Sequence, residues 1–454
     1  MRAAVIGAGV GGLAAAYRLT ERGHAADVYE RWPGLGGQAA TLDVGDGHRL
    51  ERYYHVVLRT DEHLRRIYDQ VGLTEELEWH QSSVAMFARG KLHPFTTPLD
   101  LLRYRPLTLR GRLRMGFTVV RLQRGGRDVT PYENVTVRDW TTAKMGRDVY
   151  ENVWGPLLRG KFGDRADEIA MSWLWSKLTL RRELKGEEAR HELLGYGRGG
   201  WEPLFLRLQE RIEQQGGRVL IDRPAARIAR SEDGFEVTPA APDSFRRGVD
   251  PRAFEPAGPP ERYDAVLATV PNDVFEWMLD PDLAAAVGEP YMARLRSCEY
   301  HATACLLMEI NRQFMPYFWL NIVDDGMPFV GIVEHTNFVS PESYAGRQFL
   351  YVANYVELDD PMLDLDMDQV ITHYEPGLRR INADFDRSWI VNSWLFKEPA
   401  AQPVVDVGYR ARMAPLQTPV PGLLLSNTTQ VFPQDRGTNY AVKLAEEAVE
   451  ILVG

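Results

Sequence analysis

Cysteine is nearly absent: Cys298 and Cys305 are the only two in 454 residues. They lie seven apart with no histidine or cysteine cluster around them, so neither a disulfide framework nor a metal site is expected. They read as core thiols of a protein kept in a reducing compartment. Long hydrophobic runs are missing too. No uninterrupted apolar stretch reaches about 18 residues, which excludes a bilayer-spanning helix. A net basic charge is also lacking, and a formal net charge of -10 argues against nucleic acid as the main partner, because phosphate binding needs a basic face. No internal repeat or long low-complexity tract occurs. Met1-Arg2 and the apolar run behind it mimic a secretory leader, but cleavage near Ala16 would destroy the glycine pattern that follows, so the expected location is the cytoplasm.

That glycine pattern is the most informative feature present. Ala3-Ala4-Val5-Ile6 reads as a buried parallel strand running into Gly7-Ala8-Gly9-Val10-Gly11-Gly12. Gly7, Gly9 and Gly12 supply a tight turn, close backbone approach to a pyrophosphate, and close helix–strand contact. Leu13 to Arg22 follows as an Ala-rich helix whose N-terminus would face phosphate. Ala26 to Tyr29 is the second strand, and Glu30 stands eighteen residues past Gly12, where an acid can bind both ribose hydroxyls. Strand, glycines, helix, strand and acid in register specify an ADP-containing dinucleotide.

Two further blocks carry related signals. Gly195-Tyr196-Gly197-Arg198-Gly199-Gly200 leads into a helix from Pro203 to Gln215, a Gly216-Gly217 turn, and short strands at Arg218–Ile221, Arg227–Ile228, Phe235–Val237 and Ala265–Thr269. Residues 239–262, rich in Pro, Arg and Asp, read as a surface excursion. The third block is a strand at Gly422–Ser426 followed by a helix from Gly437 to Leu452. The intervening stretches hold most of the tryptophan and fit a second domain folded over the ligand. Parallel sheets bind ligands at the carboxyl ends of their strands, so the chemistry should lie between the two domains.

With these blocks in view, the chain resembles the flavin-dependent amine oxidase superfamily, in its protoporphyrinogen oxidase-like and phytoene desaturase-like branch. Gly34-Leu35-Gly36-Gly37-Gln38 is similar to the second glycine pair that passes close to the flavin in that group. Pro421 to Thr428 and Asp435 to Val442 are similar to its C-terminal strand–loop–helix. The resemblance implies FAD as cofactor. It implies an α/β fold with a Rossmann-like FAD-binding domain of the glutathione reductase type, interleaved with an α+β substrate domain that contains a mixed β-sheet. The FAD domain would take residues 1–80, 195–290 and 395–454, and the substrate domain 81–194 and 291–394. The implied FAD contacts are Gly7, Gly9, Gly11, Gly12, Glu30, Arg31, Gly36, Gly37, Gln38, Ala225 (at the adenine), Asn427, Thr428, Gly437, Thr438, Asn439 and Tyr440. The Gly437 helix would point its N-terminus at the ring and stabilise its anionic reduced form. Two departures stand out. Asn427-Thr428 replaces the Gly-Asp or Gly-Glu of relatives. The strand His301–Ile310, where amine oxidases carry a lysine near flavin N5, has none, with Ala304 or Cys305 in that region.

Candidate catalytic residues are His55, Arg159, Lys161, Trp394 and Tyr440. His55 titrates nearest neutrality and could move a proton; it could equally be a structural histidine at the seam. Arg159 and Lys161, among small and aromatic residues, suit a phosphate, diphosphate or carboxylate, or else a helix-end turn with solvated charges. Trp394 and Phe396 would flank the substrate or pack in the core. Eight arginines and no acid lie between Leu101 and Arg127, with Leu109, Leu113, Phe117 and Val120 at helical spacing. That stripe suits an amphipathic helix on an anionic membrane surface, or a core-facing helix with a solvated basic face.

The expected function is an FAD-dependent oxidoreductase that takes a hydride from a hydrophobic, polycyclic or lipid-linked small molecule, with oxygen or another acceptor reoxidising the flavin. No second nicotinamide fingerprint is present. The alternatives are a reduced-flavin sugar-nucleotide mutase resembling UDP-galactopyranose mutase, and a flavin-binding protein without catalysis.

Overall fold

The computed structural model describes residues 1–179, 193–242 and 254–454. Parts of the substrate-domain stretch 81–194 and of the excursion at 239–262 fall outside them.

All three sequence blocks deliver strands to one sheet. Its order is Leu423–Leu425, Ala265–Ala268, Arg2–Ile6, Ala25–Tyr29, Arg218–Leu220, and every pairing is parallel. Ala4, Val5, Val28, Val266, Leu267 and Leu424 are fully buried; strands covered on both faces must be apolar throughout, which is why they read as continuous runs. Helices Val10–Glu21 and Thr438–Val453 pack together on one face, close enough that a Cβ on Gly11 would stand 3.4 Å from the Ala441 carbonyl oxygen. The first helix starts at Val10, three residues earlier than its composition suggests, with Gly9 as its N-cap. The strand at Arg227–Ile228 extends over Ala225–Ser231 and forms an antiparallel meander with Gly234–Pro239 and Glu261–Tyr263.

The second layer is a seven-stranded mixed sheet, ordered Ile390–Pro403, Tyr300–Ile310, Gln348–Val356, Gly331–Glu334, Trp319–Ile322, Val84–Ala88, Lys91–Pro94. One pairing in it is parallel, Trp319–Ile322 against Val84–Ala88. The strand Ile390–Pro403 runs unbroken through residue 395, where the sequence reading places a domain boundary. Several bonds tie the two layers. Gln38 Nε2 donates to the Ala400 carbonyl at 3.0 Å, Tyr351 Oη to the Glu51 carbonyl at 2.7 Å, and Arg347 to the carbonyls of Val44 and Gly45 at 2.7 and 2.8 Å.

Helices from the 98–179 region cap the mixed sheet. In Leu109–Arg124, Gly111, Met115 and Leu122 face inward, while Leu109, Leu113, Phe117 and Val120 stand 60%, 56%, 70% and 42% exposed. The neighbouring helix Pro98–Arg103 adds exposed Leu99 and Leu102. The core-facing alternative for the apolar stripe therefore does not hold: the stripe faces out. No described helix is long and apolar enough to cross a membrane.

Candidate active site

The strand ends dictate where the site lies. Gly7 follows Ile6, Glu30 follows Tyr29, Thr269 follows Ala268 and Ser426 follows Leu425, and all four line one cleft of about 510 Å³. That size falls within the range of about 300–1,000 Å³ for ligand pockets. The glycines divide by what they make room for. Gly7 has φ +102° and a Cβ there would lie 2.8 Å from Thr269 Oγ1, while a Cβ on Gly12 would lie 1.9 Å from the Gly7 carbonyl oxygen. Those two serve the fold. Gly9 differs, because the nearest atom to its Cβ would be Gly37 Cα at 3.9 Å. Nothing in the chain requires glycine at position 9, and the space beside it opens on the cleft.

The second glycine pair closes onto the first. Gly36 N–H donates to the Ala8 carbonyl at 2.8 Å, and Gly37, at φ +58°, would place a Cβ 3.1 Å from Gly9 Cα. Glu30 is buried and accepts from Ala8 N–H at 2.7 Å and Trp32 N–H at 2.9 Å. Burial raises its pKa above the ordinary carboxylate value, against the pull of those amides. Two of its roughly four lone-pair sites remain for hydroxyl donors. Arg31, Gln38, Ala225, Asn427, Thr428, Gly437 and Thr438 line the same cleft. Both helices that open on it, at Val10 and Thr438, lack a side-chain cap at their N-termini. Their amides and positive dipole ends suit an anionic ligand.

Other candidates are engaged in the fold or lie outside the cleft. Asn427 turns its side chain inward, accepting from Thr429 N–H at 3.0 Å and donating to the Val270 carbonyl at 2.8 Å. Asn439 Oδ1 accepts from Leu64 N–H at 3.1 Å, and neither Asn439 nor Tyr440 lines the cleft. Trp394 lies outside it, packed on the core, while Leu395 and Phe396 line it. Arg159 and Lys161 do not converge, because positions two apart on a helix face opposite ways, and this segment is the helix Gly155–Phe162. Arg159 pairs with exposed Asp325 at 3.4 Å, whereas Lys161 turns inward to Asp435 at 3.1 Å.

His55 lines the cleft, and its Nδ1 contacts the Tyr53 carbonyl, so Nδ1 carries the proton. Burial and the charge of Arg436 lower its pKa to about 4. The ring is neutral at pH 7, which removes the near-neutral titration that made it a proton-transfer candidate. The lysine question also acquires an answer. Lys397 pairs in register with Ala304, but its ammonium donates to the carbonyls of Leu363 and Leu365 at 2.7 and 2.5 Å.

The residues that sequence reasoning missed cluster behind Arg436. Asp435 accepts from Lys161, from Lys177 at 2.7 Å, from Trp173 Nε1 at 3.0 Å and from Gln402 Nε2 at 3.0 Å. Burial alone would raise Asp435, but Lys161 and Lys177 carry it well below the carboxylate range. Arg436 lines the cleft and donates to Tyr355 Oη at 3.2 Å and to Gln402 Oε1 at 3.1 Å. The one signal available was Lys177 itself, a lone cation in the apolar helix Met171–Thr179.

The family model of flavin containing amine oxidoreductases matches residues 10–433. A 15-cis-phytoene desaturase of Solanum lycopersicum is 24% identical over 294 residues, 61% of this chain and 48% of that protein; the match thus spans about half the length of that relative. Among solved structures, a protoporphyrinogen oxidase-like protein of Exiguobacterium sp. 255-15 superposes with a TM-score of 0.74 at 18% identity, covering 99% and 98% of the two chains. A reduced UDP-galactopyranose mutase gives 0.73 at 16% identity over 100% and 95%.

Proposed function

Because the chain belongs to the flavin containing amine oxidoreductases and FAD is its cofactor, we propose that it oxidises a hydrophobic, polycyclic or lipid-linked molecule at a carbon centre. The flavin supplies a two-electron acceptor. The chain's own residues do the rest: Glu30 binds hydroxyls, the Gly9 cradle and the Val10 helix N-terminus hold phosphate, and the Thr438 helix N-terminus offers its positive end to the ring. The observation that carries the substrate class is the wall of the cleft on the mixed-sheet side. There Tyr53, Leu395 and Phe396 present apolar and aromatic surface, and Lys397 on the same wall has its ammonium bound by two backbone carbonyls. An aromatic wall excludes water and positions an apolar carbon, as hydride transfer requires.

The outward stripe on Leu109–Arg124 supports a place of work. Leu109, Leu113 and Phe117 are exposed beside Arg110, Arg112, Arg114 and Arg121, a pairing of apolar and basic groups that fits the surface of an anionic bilayer. There an apolar substrate would be reached from the lipid phase.

The test is purification followed by anaerobic bleaching. The protein should carry one FAD per chain and lose its flavin absorbance on mixing with a desaturable isoprenoid or a reduced tetrapyrrole. Refusal of added FAD, or bleaching by simple amines alone, would refute the reading. Turnover of a sugar nucleotide by the reduced protein, with no net reoxidation of the flavin, would select the mutase instead.

A further inference from the structure

Two of the chain's seven lysines meet at one carboxylate beside the cleft. Lys161 comes from the helix Gly155–Phe162, Lys177 from Met171–Thr179, and Asp435 and Arg436 from the loop before the C-terminal helix. Asp435 already accepts four hydrogen bonds, one from each lysine, one from Trp173 and one from Gln402. An ionised carboxylate offers about four acceptor sites, so its capacity is full. Each lysine still has donors left over. Among the described residues, three cations here face one carboxylate, a surplus of two positive charges in a half-buried seam.

The surroundings strengthen the imbalance. Lys161 Nζ lies 5.6 Å from the Trp173 ring centroid and 5.1 Å from that of Tyr355, and Lys177 Nζ lies 4.8 Å from Trp173. These ring faces attract cations but accept no strong hydrogen bond. Lys161 and Lys177 keep 21% and 37% of their side-chain surface exposed, so an anion arriving from solvent can reach the surplus charge. Arg436 connects the cluster to the cleft, since it lines the one and belongs to the other. Neither lysine lines the cleft, so an oxyanion held by them would meet the space the flavin shares with its substrate through Arg436.

We propose that Lys161, Lys177 and Arg436 form a subsite for an anionic head group, a phosphate, diphosphate or carboxylate, on the molecule oxidised in the cleft. The substrate is then amphiphilic: an apolar body lies along Tyr53 and Phe396, and a charged end is anchored behind Arg436. Arg159 has no part in this, since it is turned to the surface against Asp325. The inference rests on the proposed function only in treating the bound anion as part of a substrate.

Calorimetric titration of the FAD-loaded protein tests it, with decyl phosphate, decanol and inorganic pyrophosphate as probes at constant ionic strength. Decyl phosphate should bind saturably and more tightly than either decanol or pyrophosphate. Lys161→Gln and Lys177→Gln should each weaken it at least tenfold, as expected for losing one charge-assisted contact, and Lys177→Arg should retain it. If a Gln variant fails to fold, Asp435→Asn provides a second route, because removing the cluster's carboxylate should tighten decyl phosphate binding several-fold. Decanol binding as tightly as decyl phosphate, affinities unchanged in the lysine variants, or no binding at all would overturn the subsite. Pyrophosphate binding tighter than decyl phosphate would overturn its assignment to a substrate head group. FAD content is read separately: a yellow protein indifferent to decyl phosphate loses only the subsite, whereas a colourless one loses the proposed function.

Discussion

Two glycines three residues apart should respond to the same methyl group in opposite ways. Gly9 has φ -68° and ψ 175°, a conformation open to any residue, and its Cβ would stand 3.9 Å from the nearest chain atom. Gly9→Ala loses about 0.5–1 kcal/mol as a poorer N-cap and regains about 0.4–1 kcal/mol by restricting the unfolded chain. The apoprotein should therefore keep its stability to within about 1 kcal/mol. With an unfolding entropy of about 2.1 cal/mol/K per residue, that is a Tm shift of about 1 °C. Cofactor binding should suffer instead, because the methyl occupies the approach of the pyrophosphate. Losing two charge-assisted bonds at about 1.5–3 kcal/mol each raises the Kd for FAD by about 10²–10⁴. Gly12→Ala reverses the pattern. Its Cβ would be 1.9 Å from the Gly7 carbonyl oxygen, deep inside contact distance, so the helix must move off the sheet. Overpacking of this kind costs about 3 kcal/mol or more, or about 3 °C in Tm. Thermal unfolding of the two apoproteins and quenching of FAD fluorescence on titration provide both readouts. Wild-type FAD affinity in Gly9→Ala, or an apo Tm that falls as far as in Gly12→Ala, would refute the assignment of Gly9 to the ligand.

Other consequences are equally measurable. Glu51 is fully buried, accepts from Tyr196 Oη at 2.8 Å and Trp201 N–H at 3.1 Å, and is raised by burial from 4.5 to about 7. The unfolded chain releases this proton first, so stability is highest below pH 4.5 in this respect and falls as pH rises through 7, by about 3 kcal/mol. Glu51→Gln should gain about 3 °C on the wild type between pH 4.5 and 8 in a thermal-shift series, and a pH-independent difference would refute this. His55 and His335, lowered by burial to about 4 and about 3, act the other way and weaken the fold as pH falls below about 6.5. The double variant Leu113→Asp/Phe117→Asp should fold normally and lose sedimentation with anionic vesicles; binding equal to wild type would remove the membrane face. Glu30→Ala, which leaves the Ala8 and Trp32 amides without their acceptor, should weaken FAD binding by at least tenfold in the same quenching titration, and an unchanged Kd would refute its role.

The nucleotide half of the fold was legible because each of its signals is local. Val5, Val28 and Leu424 lie in apolar runs because both faces of a parallel sheet are covered, and Gly7 and Gly12 stand where geometry forbids a side chain. The cluster behind Arg436 was not, and the reason is distance along the chain. Lys177, Tyr355 and Asp435 lie dozens of residues apart and form no pattern until the helices dock. Arg159 and Lys161 misled in the reverse sense: two cations so close in sequence suggest one site, but a helix sends them to opposite faces. The arginine stripe was ambiguous for a related reason, since periodicity identifies the two faces of a helix without saying which meets solvent. Asn427, expected at the cofactor, lines the cleft while its side chain caps a short turn over Thr428–Gln430.

The strand Ile390–Pro403 lies in the mixed sheet along much of its length and forms the cleft wall from Leu395 to Ala400, where Ala400 is bonded to Gln38. Because Ile390–Pro403 is bonded along its length to Tyr300–Ile310, that wall moves only with the whole mixed sheet, and a clamshell opening would have to break the Gln38, Tyr351 and Arg347 bonds between the layers together. Opening is thus a motion of whole layers. The rate of product departure should then follow the strength of the bonds across that seam as well as the grip on the product's charged end.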